Sequence, residues 1–591
     1  MVMILTNTRM RMLSQWILFV LFFCSLILSV SCKINEVTSN SGSNPATADS
    51  SYTVTLSGLK NQSVYLVKMN NSQTVAAASA TGSAASSVLS SDISGRTVID
   101  YRNLDSDTIG ENVSGVFKVP KGTVVRLENK KAQEALTHPP AASVIGQASS
   151  RSIQNAQSAR NSSSLQATLS VGLSTRKFLV AIDANESSYV TITATLRGSS
   201  AHAQVWVASA NDASGSPTAS DTVTAVTAQS IADTFTKIYP VETAIFGYEY
   251  GGDPGDTAHA GGMDGEIPIN ILIYDVDYDT AQVSTSGSGV VGFFYDKDNL
   301  PLGTSNSNAS EIFYIDSWFT VKYPGVVYST LVHEFQHMIG YNEKYKQKTN
   351  SGEMSAWYTE MLSQVAEDMM STDLETWLGA KYNVADDGPV NNRMQWFDYL
   401  AGYSVAGVTD WLTSSDDEKQ SSYASTFAFG SYLARNYGGA PLIKAIASND
   451  SVNDASVTAA LAALGRSEVT FRDAFARYGE ALIYSSSGFS DGIVPSNYNT
   501  FDRSASDTIN GHVYSFSAFD IWKIPVTYKD NTTGIMSPKT YPIGVNNSIR
   551  PHGVYLQTTS AWKNKTGELV ITLKKPTNPD VSLALMIRAA Q

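Results

Sequence analysis

Alternation of polar and apolar positions marks the first patterned stretch of the chain. "SYTVTLSGL" and "QSVYLVKM" change side at nearly every residue, as half-buried strands do, and "VFKVPKGTVVRLEN" is similar. Residues 51–128 are expected to form a small β domain. Residues 129–164 have little periodicity and many small polar residues, which reads as a linker. Within 165–215, "TRKFLVAIDA", "YVTITATLRG" and "AQVWVASA" predict a second β domain rich in β-branched and aromatic residues. The pattern then changes. "SIADTFTKIYPVETAIFG" has helical spacing, and "INILIYDVDYD", "VVGFFYDKD" and "SEIFYIDSWF" are strong strands. Helices dominate from "YPGVVYSTLVHEFQHMIGYNEKY" through "TFRDAFARYGEALIYS", so 225–495 is expected to be a strand layer with helices. After 495, "HVYSFSAFDIWKIPV" and "ELVITLKK" return to strands and predict a C-terminal β domain, 496–591. The fold class is α+β, in several domains.

Length agrees with that division: 591 residues are too many for one core. Only 16% of residues are charged, and small polar residues abound, as in β-rich secreted proteins. The formal net charge is −13 and no basic patch stands out, which argues against a nucleic-acid partner. The N-terminus places "TRMRM" before the apolar run "WILFVLFFCSLILSV", followed by "SC". This order resembles a bacterial lipoprotein signal covering 1–31, with Cys32 as the acylated residue and 32–50 as a polar tether. Simple secretion or an uncleaved anchor is the alternative. The lipoprotein reading expects a membrane partner through lipid at Cys32, at the outer membrane or cell surface. It also removes Cys24 with the signal. The mature chain then has no thiol for a disulfide or a zinc–cysteine site, so any metal falls to His, Asp or Glu.

"LVHEFQHMIG" at 331–340 carries the candidate chemistry. Val327, Leu331, Phe335 and Met338 recur at helical steps, and Pro324 opens the segment. On such a helix His333 and His337 share a face and can grip one ion, with Glu334 placed to reach a water on that ion as general base. The chain has only seven histidines, and two of them flanking a glutamate on an apolar helix argue against surface decoration. A catalytic zinc takes three protein ligands and keeps one place for water. No third histidine follows nearby. Downstream, Asn350 and Glu353 have capping-box spacing, and Trp357, Met361 and Val365 follow at helical steps. Glu360 lies inside this apolar helix, where an unpaired carboxylate is costly and a metal is a natural partner. Glu367 lies two turns on, about 10 Å along the axis. Both cannot bind one ion, and Glu360 is the expected ligand. Glu367 is a candidate to orient a ligand histidine, or, with Asp368, to form a solvated helix end. "DVDYD" at 275–279 has carboxylates for calcium but lacks the glycine and closing glutamate of an EF-hand loop, so strand-end acids are the preferred account.

"LVHEFQHMI" followed by "WYTEMLSQVAEDM" resembles the gluzincin metallopeptidases, and in detail the hyicolysin family of bacterial neutral metalloproteases. The similarity extends over about 225–490. It implies a thermolysin-like catalytic domain, one Zn²⁺ held by His333, His337 and Glu360, and endopeptidase activity on protein or peptide substrates. Trp357 and Glu360 match the family's W-x-x-E. "TEM" stands where N-E-G is common in gluzincins. "YASTFAFGSYLARNYGG" is similar to an aminopeptidase-like gluzincin segment whose leading tyrosine hydrogen-bonds the oxyanion, which implies that role for Tyr423; Thr426 replaces its usual glycine. Two rival functions are an adhesin or binding lipoprotein with an inactive peptidase-like domain, and an aminopeptidase. The intact His333, Glu334, His337 and Glu360 argue against the first, and the missing G-x-M-E-N strand argues against the second. "SEIFYID" is the strand expected to pair with an extended substrate.

Overall fold

The computed structural model describes residues 2–3, 51–84, 114–118, 124–127, 169–182, 188–212, 221–278, 289–303, 306–346, 353–397, 407–412, 416–485, 499–527, 533–545, 547–574 and 576–589. Cys32, the tether and the 129–164 linker lie outside them, as does all of the signal beyond residues 2–3. Among the described residues no helix is long and apolar enough to cross a membrane.

The central sheet is built from β1 (Thr175–Ala181), β2 (Tyr189–Ser199), β3 (Ala203–Ala208), β4 (Ile269–Tyr274), β5 (Gly292–Phe294) and β6 (Ile312–Asp316). Its order is β5-β6-β4-β3-β2-β1. β4 runs parallel to both β3 and β6, and the other pairs are antiparallel. A parallel pair needs a crossover. Here it contains helix α1 (Ala225–Phe246), which Thr224 caps by accepting from the Thr227 amide. β3, β4 and β6 are buried throughout, as strands covered on both faces must be. Their side chains divide by period two. Val205, Val207, Ile271, Ile273, Phe313 and Ile315 face the helical core. Trp206, Leu272, Tyr274 and Tyr314 face a second core with Phe178, Val180 and Leu196.

This arrangement corrects two expectations. The β domain expected at 165–215 is not separate from 225–495, because β3 pairs with β4 from Ala203↔Ile269 to Val207↔Ile273. Alternation specifies a half-buried strand but does not name its partner. β6, the "SEIFYID" strand, is not the sheet edge, since it lies between β5 and β4; β5 is outermost among the described strands.

The helices follow in chain order: α2 (Pro324–Tyr341), α3 (Ala356–Leu378), α4 (Pro389–Met394), α5 (Asp416–Tyr437), α6 (Gly439–Ser448), α7 (Asn453–Ala463) and α8 (Phe471–Tyr484). α2 packs on α1 and α3, and α5 packs on α3. Gly430 of α5 permits close approach there. A Cβ would come within 2.6 Å of Met361 Cγ and Val365 Cγ2 on α3.

The terminal β regions also depart from the expected division into 51–128 and 496–591. Ser51–Asn70 is a 20-residue strand at the middle of a sheet that joins both ends of the chain. It pairs antiparallel with Lys565–Lys574 along its first part and Val581–Ala589 along its second, and parallel with Ser114–Lys118. Val54, Leu56, Ile571, Leu573, Leu585 and Ile587 fill one face. Val67, Met69 and Met586 on the other face meet Gly479 of α8, where a Cβ would lie 3.0 Å from Met69 Sδ and Val67 Cγ1. Burying the second apolar face against α8 ties the terminal sheet to the helical core.

Candidate metal centre

Pro324 occupies the first turn of α2, where its missing N–H costs nothing. Val327, Leu331, Phe335 and Met338 form the buried stripe expected from their spacing. His333 and Glu334 are also fully buried, and the His337 side chain is 16% exposed. α3 opens after Ser355 rather than at a capping box. The Ser355 amide donates to Asn453 Oδ1 at 2.9 Å, and Asn350 lies outside the described residues. On α3, Glu360, Ser363 and Glu367 follow at three- and four-residue steps and so share one face.

α2 and α3 bring His333, His337 and Glu360 together. Their nearest ligand atoms lie within 4.8 Å of one another, and among the described residues this is the group of His, Cys, Asp and Glu with such convergence. His333 Nε2 is 3.1 Å from His337 Nε2 and 3.1 Å from Glu360 Oε2. His337 Nε2 is 3.5 Å from Glu360 Oε1. Donors bound at about 2.0–2.2 Å in tetrahedral geometry are separated by about 3.3–3.6 Å. The observed separations, 3.1, 3.1 and 3.5 Å, lie in that range or a few tenths of an ångström short of it, so two imidazole nitrogens and one carboxylate form a donor set that a zinc-type ion suits.

The outer nitrogens are also held. His333 Nδ1 is 2.6 Å from Glu367 Oε1, which aims Nε2 at the centre. Glu367 further accepts from Ser329 Oγ at 2.9 Å and Arg393 Nη2 at 2.8 Å. His337 Nδ1 is 3.1 Å from Ser363 Oγ, whose hydroxyl donates to Gln336 Oε1 at 2.6 Å. Glu367 is therefore a partner of His333 and not a solvated helix end. Asp368 is buried too, paired with Arg435 of α5 at 2.6 Å.

Electrostatics show what the cluster favours. Burial lowers the pKa of His333, but hydrogen bonds to Glu360 and Glu367 outweigh it and push the value up to about 9. Burial would raise Glu360, yet His337 and His333 hold it well below the usual carboxylate range. Burial likewise opposes ionisation of Glu367, and Arg393 and His333 overcome it. Two ionised carboxylates around the buried His333 imidazole favour positive charge at this point, whether a proton or a metal supplies it.

Glu334 points beside the triad, and its Oε2 accepts from the Phe294 amide of β5 at 2.9 Å. Tyr423 of α5 is buried near the same groups. Burial first, then the negative charge of Glu360, raises its hydroxyl well above the ordinary tyrosine range. Trp411 packs edge-on to its ring at 4.9 Å, and the Arg393 guanidinium lies 5.4 Å from the ring centre.

The structure thus brings together five of the sequence-predicted residues around His333: Glu334, His337, Glu360, Glu367 and Tyr423. Cys32 lies outside the described residues. Of "DVDYD", Val276–Tyr278 form a 3₁₀ turn and Asp279 lies outside the described residues. Sequence reasoning missed Ser329, Ser363 and Arg393. Ser363 had a signal, because it stands one turn from both Glu360 and Glu367. Arg393 had none, since it comes from a short helix 26 residues beyond Glu367.

The chain is 28% identical over 197 residues to the neutral metalloprotease ShpI of Staphylococcus hyicus, a match covering 31% of this chain and 37% of that protein. Residues 184–500, which span the central sheet from β2 onward, the metal centre and its supporting helices, match the peptidase M30 family. The chain belongs to that family, the hyicolysin family of peptidases.

Proposed function

We propose that this chain is a zinc-dependent endopeptidase of thermolysin-like layout that hydrolyses peptide bonds in extracellular or envelope proteins. The convergence of His333, His337 and Glu360 on one point, with Glu334 beside it, carries the reading. Zinc fits the donor set better than calcium or magnesium, which favour all-oxygen ligation. Held by His333, His337 and Glu360, such an ion would supply Lewis-acid polarisation of the scissile carbonyl and would acidify water toward a pKa of about 7.

The chain's own residues do the rest. Glu334 takes the proton from the attacking water and delivers it to the leaving amine. The Phe294 amide on Glu334 Oε2 fixes the carboxylate's orientation before substrate arrives. Tyr423 donates its hydroxyl to the developing oxyanion; a hydroxyl that resists ionisation remains a donor at neutral pH. Glu367 and Ser363 hold the two imidazoles so that each presents Nε2. β5, outermost in the sheet and in contact with Glu334 through Phe294, is placed to align an extended peptide. The lipoprotein-like N-terminus supports attachment at Cys32 and a location on the cell envelope.

Metal analysis and casein hydrolysis by the purified chain test this reading together. One zinc per chain and chelator-sensitive cleavage are expected. A metal-free protein, or cleavage unaffected by chelator, contradicts it.

A further inference from the structure

Arg393 is buried, 2% exposed, on the short helix α4, and it touches two parts of the centre at once. Its Nη2 donates to Glu367 Oε1 at 2.8 Å, the same oxygen that lies 2.6 Å from His333 Nδ1. Its guanidinium carbon is 5.4 Å from the centre of the Tyr423 ring. We propose that Arg393 is a positioning residue coupling the two sides of the site: it fixes Glu367 against His333 and holds the Tyr423 ring so that its hydroxyl meets the oxyanion. The proposal rests on the metallopeptidase reading above.

The physical case begins with Glu367. A fully buried carboxylate stays charged only with compensation, and His333 also bonds Glu360. Arg393 supplies a permanent cation at hydrogen-bond distance. A guanidinium is planar, so it can donate in its plane and offer its face to an aromatic ring. A lysine ammonium is a compact charge that can pair with Glu367 but has no face to lay against Tyr423. α4 packs on both α3 and α5, which carry Glu367 and Tyr423. A small displacement of Arg393 therefore moves the support of a metal ligand and the support of the oxyanion donor together.

The test uses the full chain as wild type, Arg393→Met, Arg393→Lys, Tyr423→Phe and Arg393→Met/Tyr423→Phe. The readouts are zinc affinity by competition with a chelator, and kcat and KM on casein at saturating zinc. For Arg393→Met, zinc affinity is expected to fall about 10–100-fold. Its kcat should fall about tenfold or more with little change in KM. Arg393→Lys should keep zinc affinity close to wild type and still lose kcat. In the double variant the kcat loss should fall short of the product of the two single losses, because the arginine then has no hydroxyl to place and acts only through Glu367 and His333.

Wild-type zinc affinity and kcat in Arg393→Met overturn the proposal. So do kcat losses that multiply in the double variant. If Arg393→Met does not fold, Arg393→Lys decides, and wild-type kcat in it overturns the proposal. A wild type that holds no zinc overturns both readings, whereas a zinc-loaded, active wild type with unaffected Arg393 variants overturns this one alone.

Discussion

His333 and His552 are both buried, at 0% and 4% exposure, yet burial leads to opposite outcomes. His552 sits where the terminal sheet meets α8. Phe471 and Phe475 pack edge-on to its ring at 5.0 and 5.2 Å, and Nδ1 is 2.8 Å from Thr409 Oγ1. Desolvation, with Arg472 adding to it, pushes its pKa down to about 3. His333 is desolvated as well but lies 2.6 Å from Glu367 and 3.1 Å from Glu360, and its pKa is pushed up to about 9. Loss of water acts alike on both rings. The partners decide the sign: a hydroxyl and two aromatic rings favour neutral imidazole, and two carboxylates favour a cation. One region is built to be apolar and inert, and the other to be charged.

Replacing Glu334 should have the largest effect on rate, because in the proposed mechanism it is the group that moves the proton. Glu334→Gln is nearly isosteric and should retain metal while hydrolysis falls about 10²–10⁴-fold. Casein cleavage at the wild-type rate by the metal-loaded variant would refute that role.

Next comes the feature that separates His333 from His552, its outer carboxylate. Glu367→Gln keeps the shape but removes the charge that Arg393 and His333 share. Metal affinity should fall about 10–100-fold without loss of the fold. Chelator titration checks it, and an unchanged affinity would mean that Glu367 does not orient His333.

The smallest effect probes the other histidine. The folded pKa of His552 is depressed to about 3 from an ordinary value of 6.5. Above 6.5 both folded and unfolded chains are neutral here and the full contribution is present. As pH falls from 6.5 toward 3, the unfolded chain takes up a proton that the folded one refuses, so stability is lost across that window. The loss reaches a few kcal/mol at most, on the order of 1.4 kcal/mol per pKa unit. His552 has φ 46°, which asparagine tolerates, so His552→Asn is the suitable replacement. Urea unfolding at pH 4 and 7 should show a smaller pH difference for His552→Asn than for wild type. Equal differences would show that His552 titrates normally.

The same contrast explains what could be read from sequence. His333, Glu334 and His337 lie within five residues on one helix, so periodicity alone places them on adjoining faces. Glu360 was legible because a carboxylate amid Trp357, Met361 and Val365 needs a reason to be there. Glu367 was legible only as a pair of alternatives, since its distance along the helix rules it out as a ligand but does not say what it meets. Arg393, Ser329 and Ser363 act through tertiary contacts that no local pattern records. The fold divides in the same way. The strands of 175–208 and the strand of 565–574, read from "ELVITLKK", were recognisable from alternation, but their partners, β4 in one case and Ser51–Asn70 in the other, are set by long-range pairing. His552 lies in a turn region, and its aromatic cage comes from residues about 80 positions earlier in the chain.

The central claim is that His333, His337 and Glu360 are the metal ligands and that Glu367 supports them from behind. Zinc content per chain, measured side by side for wild type, Glu360→Ala and Glu367→Ala after dialysis against metal-free buffer and reloading with one equivalent of zinc, tests it most directly. The account predicts one zinc in wild type, none in Glu360→Ala, and in Glu367→Ala a reloaded site that releases zinc to chelator more readily. A filled Glu360→Ala site beside an empty Glu367→Ala site would contradict it.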